Sequence, residues 1–150
     1  MRSYFTDILG NEDAKSRLFK AITRGTLPHA HIIVGPVGSG KKTMAKAIAA
    51  AVNCANIDSD EHSLPCGVCN NCRRIKEDIF PDIKFLGKSN GKATIGVEDT
   101  REFREDMFLS ATEAAHKFYV IENAESLTSA AQNALLKVLE EPPKNVHIIL

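Results

Sequence analysis

Residues 35–41 read Gly35-Pro36-Val37-Gly38-Ser39-Gly40-Lys41, a G-x-x-x-x-G-K loop. It stands between the apolar run His31-Ile32-Ile33-Val34 and the helical pattern Met44-Ala45-Lys46-Ala47-Ile48-Ala49. Strand, loop and helix in that order are the context a phosphate-binding loop requires. Its glycines let backbone N–H groups curl around a phosphate, the helix N-terminus adds positive potential, and Lys41 supplies a point charge. The alternative is a glycine-rich turn without a ligand. The nucleotide-binding candidates are Gly35, Pro36, Val37, Gly38, Ser39, Gly40, Lys41, Lys42 and Thr43. The loop departs from its pattern at one place. The residue after Lys41 should carry the hydroxyl that binds Mg²⁺, and here it is Lys42. Thr43 does not replace that hydroxyl, because one step along a helix turns a side chain by about 100° and moves it about 1.5 Å. Lys42 either places a second charge near the phosphates or lies along the helix surface.

The rest of the chain alternates helix and strand signals. Ala14, Leu18 and Ile22 recur every fourth residue, which predicts a helix over 12–25 ending at Gly25. A strand over 31–34 leads into the loop, and an Ala-rich helix over 41–53 follows it. Ile83-Lys84-Phe85-Leu86 is a second strand. Residues 97–109 form an amphipathic helix with Phe103 and Met107 on one face, and Phe118-Tyr119-Val120-Ile121 is a continuously apolar third strand. Thr128 is placed to cap a helix whose core stripe is Ala131, Leu135, Leu136 and Leu139, and Pro142-Pro143 ends it. Val146–Leu150 is a fourth strand. This alternation predicts an α/β fold, a parallel sheet with right-handed crossovers and helices on both faces. Ligands of such sheets sit beyond the C-terminal strand ends, where the loop falls. The last residues read as a core strand, so the sequence is expected to be cut before the last strand of the sheet.

With 150 residues the chain is read as one domain, residues 1–150. Its 19 basic and 19 acidic residues balance, which removes any global electrostatic argument for nucleic acid. No stretch approaches the roughly 20 apolar residues that span a membrane, and the N-terminus lacks an apolar signal-peptide core. A cytoplasmic location is expected, and there four cysteines suggest metal or free thiols before disulfides.

All four cysteines lie in a polar, turn-rich stretch over 54–74 that reads as an insertion with its own small fold. The spacing Cys54-x11-Cys66-x2-Cys69-x2-Cys72 contains two overlapping C-x-x-C elements. Such pairs aim adjacent thiolates at one tetrahedral centre about 2.3 Å away, and a site that uses all four sulfurs is structural. Two disulfides or a redox C-x-x-C are the alternatives, and His62 lies inside the loop as a further candidate ligand. His29, His31, His116 and His147 share no metal-like spacing and read as structural or surface residues. Arg73, Arg74, Lys76, Lys84, Lys88 and Lys92 make residues 73–92 locally basic. Glu77, Asp78 and Asp82 balance them as on a solvated face.

The third strand ends in Glu122-Asn123. ATPases of this type usually end it in Asp to organise Mg²⁺, often followed by a Glu that activates water. Glu122 is one methylene longer and the one candidate for contact with Mg²⁺ or water, although a surface carboxylate would look the same. Asn123 cannot act as a general base, because an amide accepts no proton at neutral pH. Departures at two separate positions point to binding rather than turnover.

Taken together these segments resemble the AAA+ subunits of the bacterial DNA polymerase III clamp loader, over about residues 5–150. The segments are Phe5-Thr6-Asp7-Ile8-Leu9-Gly10-Asn11-Glu12, Pro28-His29-Ala30, Asn53-Cys54, Pro65-Cys66-Gly67-Val68-Cys69-Asn70-Asn71-Cys72-Arg73, Val97-Glu98-Asp99-Thr100-Arg101 and Asn133 to Pro143. The resemblance implies an AAA+ P-loop domain with sheet order 5-1-4-3-2, a zinc module on Cys54, Cys66, Cys69 and Cys72, and an adenine pocket that uses the N-terminal segment. It also implies partners: the other clamp-loader subunits (tau/gamma and delta), the sliding clamp and, through the complex, primer–template DNA. With the fifth strand missing, the strand before the loop would be an exposed edge.

Two subunit types in that family carry the zinc module. The tau/gamma motor hydrolyses ATP, and the delta-prime stator often has a degraded site. Lys42, Glu122 and Asn123 favour delta-prime, with ATP or ADP held by the intact Gly35, Gly40 and Lys41 and with Mg²⁺ disfavoured. A tau/gamma-type motor is the alternative, and a zinc-dependent nucleic-acid-binding module is the alternative of another class.

Overall fold

The computed structural model describes residues 4–61, 63–88 and 91–150. His62 and part of the loop over 87–92 lie outside them. The chain forms two compact units, one of residues up to 28 with 34–80, the other of 29–33 with 81–150.

In the first unit, α1 (Glu12–Thr23) and α2 (Lys41–Val52) are joined by α3 (Asn70–Lys76). The end of α1 follows from Gly25: the Thr26 amide reaches the Ala21 carbonyl and the Gly25 amide reaches that of Ile22, satisfying two carbonyls the helix leaves open. Its buried face differs from the expected one. Ala14 is exposed and Lys15 is buried. The Lys15 ammonium donates to the Ile8 carbonyl at 2.9 Å and pairs with Glu12 at 2.6 Å, so the stem packs inward while the charge stays partnered. The sequence pattern missed α3 because a seven-residue segment with one aliphatic side chain carries no periodicity.

In the second unit, β1 (Ala30–His31), β2 (Ile83–Leu86), β3 (Lys117–Ile121) and β4 (Val146–Ile149) form a parallel sheet in the order β1-β4-β3-β2. Helices flank this sheet. β3 and β4 are buried at every position, as strands covered on both faces require. On one face Tyr119 and Ile121 of β3 and Val146 and Ile148 of β4 meet Phe103 and Met107 of α4 (Val97–Met107) and Ala131, Leu135 and Val138 of α5 (Ser129–Glu140). Thr128 caps α5 as expected, its hydroxyl accepting from the Ala131 amide at 3.2 Å. The α5 stripe needs one correction: Leu136 is exposed and Val138 is buried. Position 136 is turned about 100° from Leu135, whereas 138 lies three residues on and returns to the same face.

β1 is shorter than the expected 31–34. Its ladder with β4 pairs Ala30 with Ile148 and His31 with Ile149, and one further bond runs from the Ile33 amide to the Leu150 carbonyl. Among the described residues β1 is an edge of the sheet, and Ile32 is 73% exposed.

Two polar devices fix the second unit. The buried Asp82 carboxylate accepts from the amides of Thr112, Glu113 and Ala114, each at 2.8 Å. Asp106 pairs with Lys84 at 2.6 Å and accepts from the Tyr119 hydroxyl at 2.5 Å, while Lys117 donates to its backbone carbonyl at 2.6 Å. No helix among the described residues is long and apolar enough to cross a membrane.

Candidate functional site: the phosphate loop and the four-cysteine cluster

Both features lie in the first unit, at opposite ends of one helix. At the N-terminus of α2, Gly38 and Gly40 take φ +79° and +83°, the left-handed region that side-chain-bearing residues avoid. Gly40 is the N-cap of α2, so the loop's turn and the start of the helix are one structure. A Cβ at Gly35 would stand 2.6 Å from Ser39 Oγ, so a side chain there would push the Ser39 hydroxyl aside. Alternation of left-handed and ordinary backbone turns successive amides inward, the arrangement that receives an anion. The Lys41 ammonium donates to the carbonyls of Gly35 at 2.7 Å and Pro36 at 2.8 Å, which holds its charge over the loop. Val37 at the tip is almost fully exposed. Lys42 and Thr43 are both exposed on the first turn of α2.

Glu122 belongs to the second unit. It follows β3, its amide donates to the Leu86 carbonyl at 2.8 Å, and it is half-buried. Its side chain lies along Gly87, where an added Cβ would be 3.7 Å from Oε2. Asn123 is exposed with φ +55° and opens a short 3₁₀ turn over Ala124–Ser126.

The four cysteines converge. The sulfurs of Cys54, Cys66, Cys69 and Cys72 all lie within 4.8 Å of one another. Sulfurs on one tetrahedral zinc with bonds of about 2.3 Å would stand about 3.8 Å apart. Cys66 and Cys72 are 3.9 Å apart. The donor set and its spacing therefore fit a metal ion. Local structure explains the convergence. Gly67 takes φ +72° between the first pair, the Cys69 amide donates to Cys66 Sγ at 3.4 Å, and Cys69 Sγ caps α3 by accepting from the Cys72 amide at 3.4 Å. Asn56 adds a donor to Cys66 Sγ at 3.4 Å.

Their acidities diverge for physical reasons. Burial opposes ionisation of Cys66. The Cys69 and Val68 amides and the side chains of Cys54 and Asn56 outweigh it, bringing the thiol down to about 6. Burial pushes Cys54 and Cys72 up. A bound cation would oppose the effect of burial by favouring every thiolate.

The basic stretch over 73–92 is divided among local partners. Arg74 lies over the Phe80 ring at 5.4 Å and donates to the Ile79 carbonyl. Lys84 pairs with Asp106, and Lys92 with Asp99 at 3.8 Å. One relationship escaped sequence reasoning. His116 Nδ1 and His147 Nε2 are 3.0 Å apart, and His147 stacks on Phe118. A separation of 31 residues hides such a pair until the strands are in register.

Comparison with known proteins agrees with this geometry. The family described as "DNA polymerase III, delta subunit" matches residues 10–150. The chain is 34% identical over 146 residues to the DNA polymerase III subunit tau of Escherichia coli (strain K12), covering 97% of this chain and 22% of that protein. It is 34% identical to the tau subunit of Bacillus subtilis (strain 168), covering 97% of this chain and 25% of that protein. To the gamma subunit of Buchnera aphidicola it is 33% identical over 148 residues, covering 98% of this chain and 39% of that protein. The chain thus spans well under half the length of these relatives. A crystal structure of a DNA polymerase III gamma subunit-related protein from Thermotoga maritima superposes with a TM-score of 0.57 at 21% identity, covering 90% of this chain and 38% of that one, a likeness of fold. The α/β fold, the phosphate-loop sequence and the match over residues 10–150 together place this chain in the DNA polymerase III delta-subunit family.

Proposed function

We propose that this chain is the nucleotide-holding domain of a clamp-loader subunit of the delta-prime type, a stator that retains ATP or ADP without turning it over. The loop of Gly35, Pro36, Val37, Gly38, Ser39, Gly40 and Lys41 receives the phosphates, with Lys42 and Thr43 on the helix turn below. Cys54, Cys66, Cys69 and Cys72 hold a structural Zn²⁺. The partners are the other clamp-loader subunits and, through them, the sliding clamp and primer–template DNA.

The observation that carries this reading is Lys42. The cradle has left-handed Gly38 and Gly40 and an inward Lys41, yet the next side chain is an exposed lysine where a Mg²⁺ hydroxyl belongs. A bound Mg²⁺ would supply neutralisation of the charge that develops in phosphoryl transfer, and a lysine at position 42 gives it no hydroxyl, while binding through amides and Lys41 is retained. At the end of β3, Glu122 is the remaining carboxylate, and Asn123 is no base.

A second reading, an ATP-hydrolysing motor of the tau/gamma type, is favoured by the names of the relatives at 33–34% identity. Phosphate release by the full-length protein with Mg²⁺ and ATP separates the two. The stator reading expects release no faster than that of a Lys41→Ala variant. Turnover that disappears in Lys41→Ala establishes the motor.

A further inference from the structure

We infer that metal binding at the four cysteines and nucleotide binding at the phosphate loop are thermodynamically coupled through α2. The inference rests on the nucleotide-holding reading above. One helix of 12 residues, about 18 Å long, carries the phosphate cradle at its N-terminus and the cysteine cluster at its C-terminus.

The junction at the C-terminal end is built from hydrogen bonds. A helix leaves its last four carbonyls without intrahelical donors. Here the Ala49 carbonyl accepts from the backbone and side-chain amides of Asn53, and the Ala51 carbonyl from the Cys54 amide. The chain therefore enters the cluster in the turn that closes the helix. Asn53 is buried, and its own carbonyl accepts from the Asn71 side chain at 2.8 Å. Asn71 sits between Cys69 and Cys72 on α3. Cys72 is buried with its sulfur 3.8 Å from the Ala50 carbonyl. Lys46, midway along α2, is tied to Asp78 just after α3 at 2.6 Å.

The cradle depends on that junction because a helix of this length is marginal by itself and persists through packing. The face of α2 that packs is Ala45, Ile48, Ala49, Ala50 and Ala51, so much of it lies in the last turns beside α3. When a cation holds Cys54 against Cys66, Cys69 and Cys72, it fixes α3 against α2 and with it the last turn. When the cluster opens, the last turn loses its donors and the helix frays toward the loop. Nucleotide affinity falls because part of the binding free energy goes into reordering the cradle. Linkage is reciprocal, so nucleotide must tighten the metal by the same factor.

The test uses the full-length protein, Zn²⁺ and Mg²⁺-free ADP. ADP affinity is measured with the zinc loaded and with it stripped by a chelator. Zinc affinity is measured by competition with a chromophoric chelator, with and without ADP. Stripping is expected to weaken ADP by about 5- to 150-fold, and ADP to tighten zinc by the same factor. Because the stripped protein could unfold outright, Asn71→Ala is the decisive variant. It keeps all four sulfurs and one bound zinc but cuts the link to Asn53, and its zinc-loaded form is expected to bind ADP several-fold more weakly. Unchanged ADP affinity in zinc-loaded Asn71→Ala overturns the coupling and leaves the nucleotide-holding reading intact. Failure of the zinc-loaded wild type to bind ADP overturns both.

Discussion

The Lys41 ammonium lies 2.7 Å from the Gly35 carbonyl, so the lysine that should meet a phosphate is folded back on the first residue of its own loop. A second bond to Pro36 makes the hold bidentate. The loop thus keeps a positive charge aimed across its concave side before any anion arrives. Replacing the lysine removes that charge and leaves the glycine conformations intact. Lys41→Ala is expected to weaken ATP or ADP by roughly 10- to 150-fold, the equivalent of a charge-assisted hydrogen bond of about 1.5–3 kcal/mol. The melting temperature should stay within a few degrees of wild type. Equilibrium titration with a fluorescent nucleotide checks it.

Lys42 sets the metal dependence. Lys42→Thr restores a hydroxyl at the position that normally binds Mg²⁺, on an exposed part of α2 that tolerates the change. Mg²⁺ is expected to tighten nucleotide in this variant and to have little effect in wild type. Parallel titrations with Mg²⁺ and with EDTA show the difference. A wild type that already responds to Mg²⁺ contradicts the role given to Lys42.

Removing zinc should destabilise the chain. A ligand present at a thousandfold over its dissociation constant stabilises the folded state by about 4 kcal/mol. For a chain of this size that corresponds to a fall of roughly 8–16 °C in melting temperature on chelation. Cys66→Ser should show a comparable fall and bind less than one zinc per chain by atomic absorption. Wild-type protein that melts at the same temperature with and without chelator contradicts a structural metal.

Asp82 is the other structural anchor. Its carboxylate takes three amide bonds while buried, and an amide side chain would turn a donor toward at least one of those N–H groups. Asp82→Asn is expected to cost about 2–3 kcal/mol, read as a lower urea midpoint. Proteolysis at 110–116 should also become faster.

Much of this architecture was legible in the sequence, for reasons particular residues make plain. Residues 118–121 of β3 are a continuously apolar run, buried throughout, Thr128 is a helix cap with a hydroxyl, and the loop is a motif with required neighbours. The cysteine spacing foretold convergence because two C-x-x-C turns leave little freedom. Three other features were hidden. α3 is held by the Cys69 sulfur at its cap and by packing on α2, neither of which has a periodic signature. Lys15 is buried, against the rule for lysine, because the Ile8 carbonyl receives it. Asp82 reads in the sequence as one of the acids balancing a basic, solvated face, and its three partners lie some 30 residues away.

Acid should erode stability in two stages. Burial pushes the His116 imidazole below 6.5, so the fold favours its neutral form, and that contribution is lost as pH falls from about 6.5 through the folded value. Burial alone would raise Asp82 and Asp106. The amide bonds to Asp82, and Lys84 and Tyr119 beside Asp106, hold both below 3.8. Their contribution is present above that pH and lost as pH falls below it through the folded values. From the His116 and aspartate contributions, urea midpoints should decline below about 6.5 and fall further below about 4. Rising stability between pH 6.5 and 5 would contradict this.

The most direct test of a nucleotide-holding stator is a titration of a fluorescent ATP analogue into the full-length, zinc-loaded protein, with and without Mg²⁺. Saturable binding that Lys41→Ala weakens by roughly 10- to 150-fold and Mg²⁺ leaves unchanged is the expected result. Binding that needs Mg²⁺, or no binding in either condition, contradicts it.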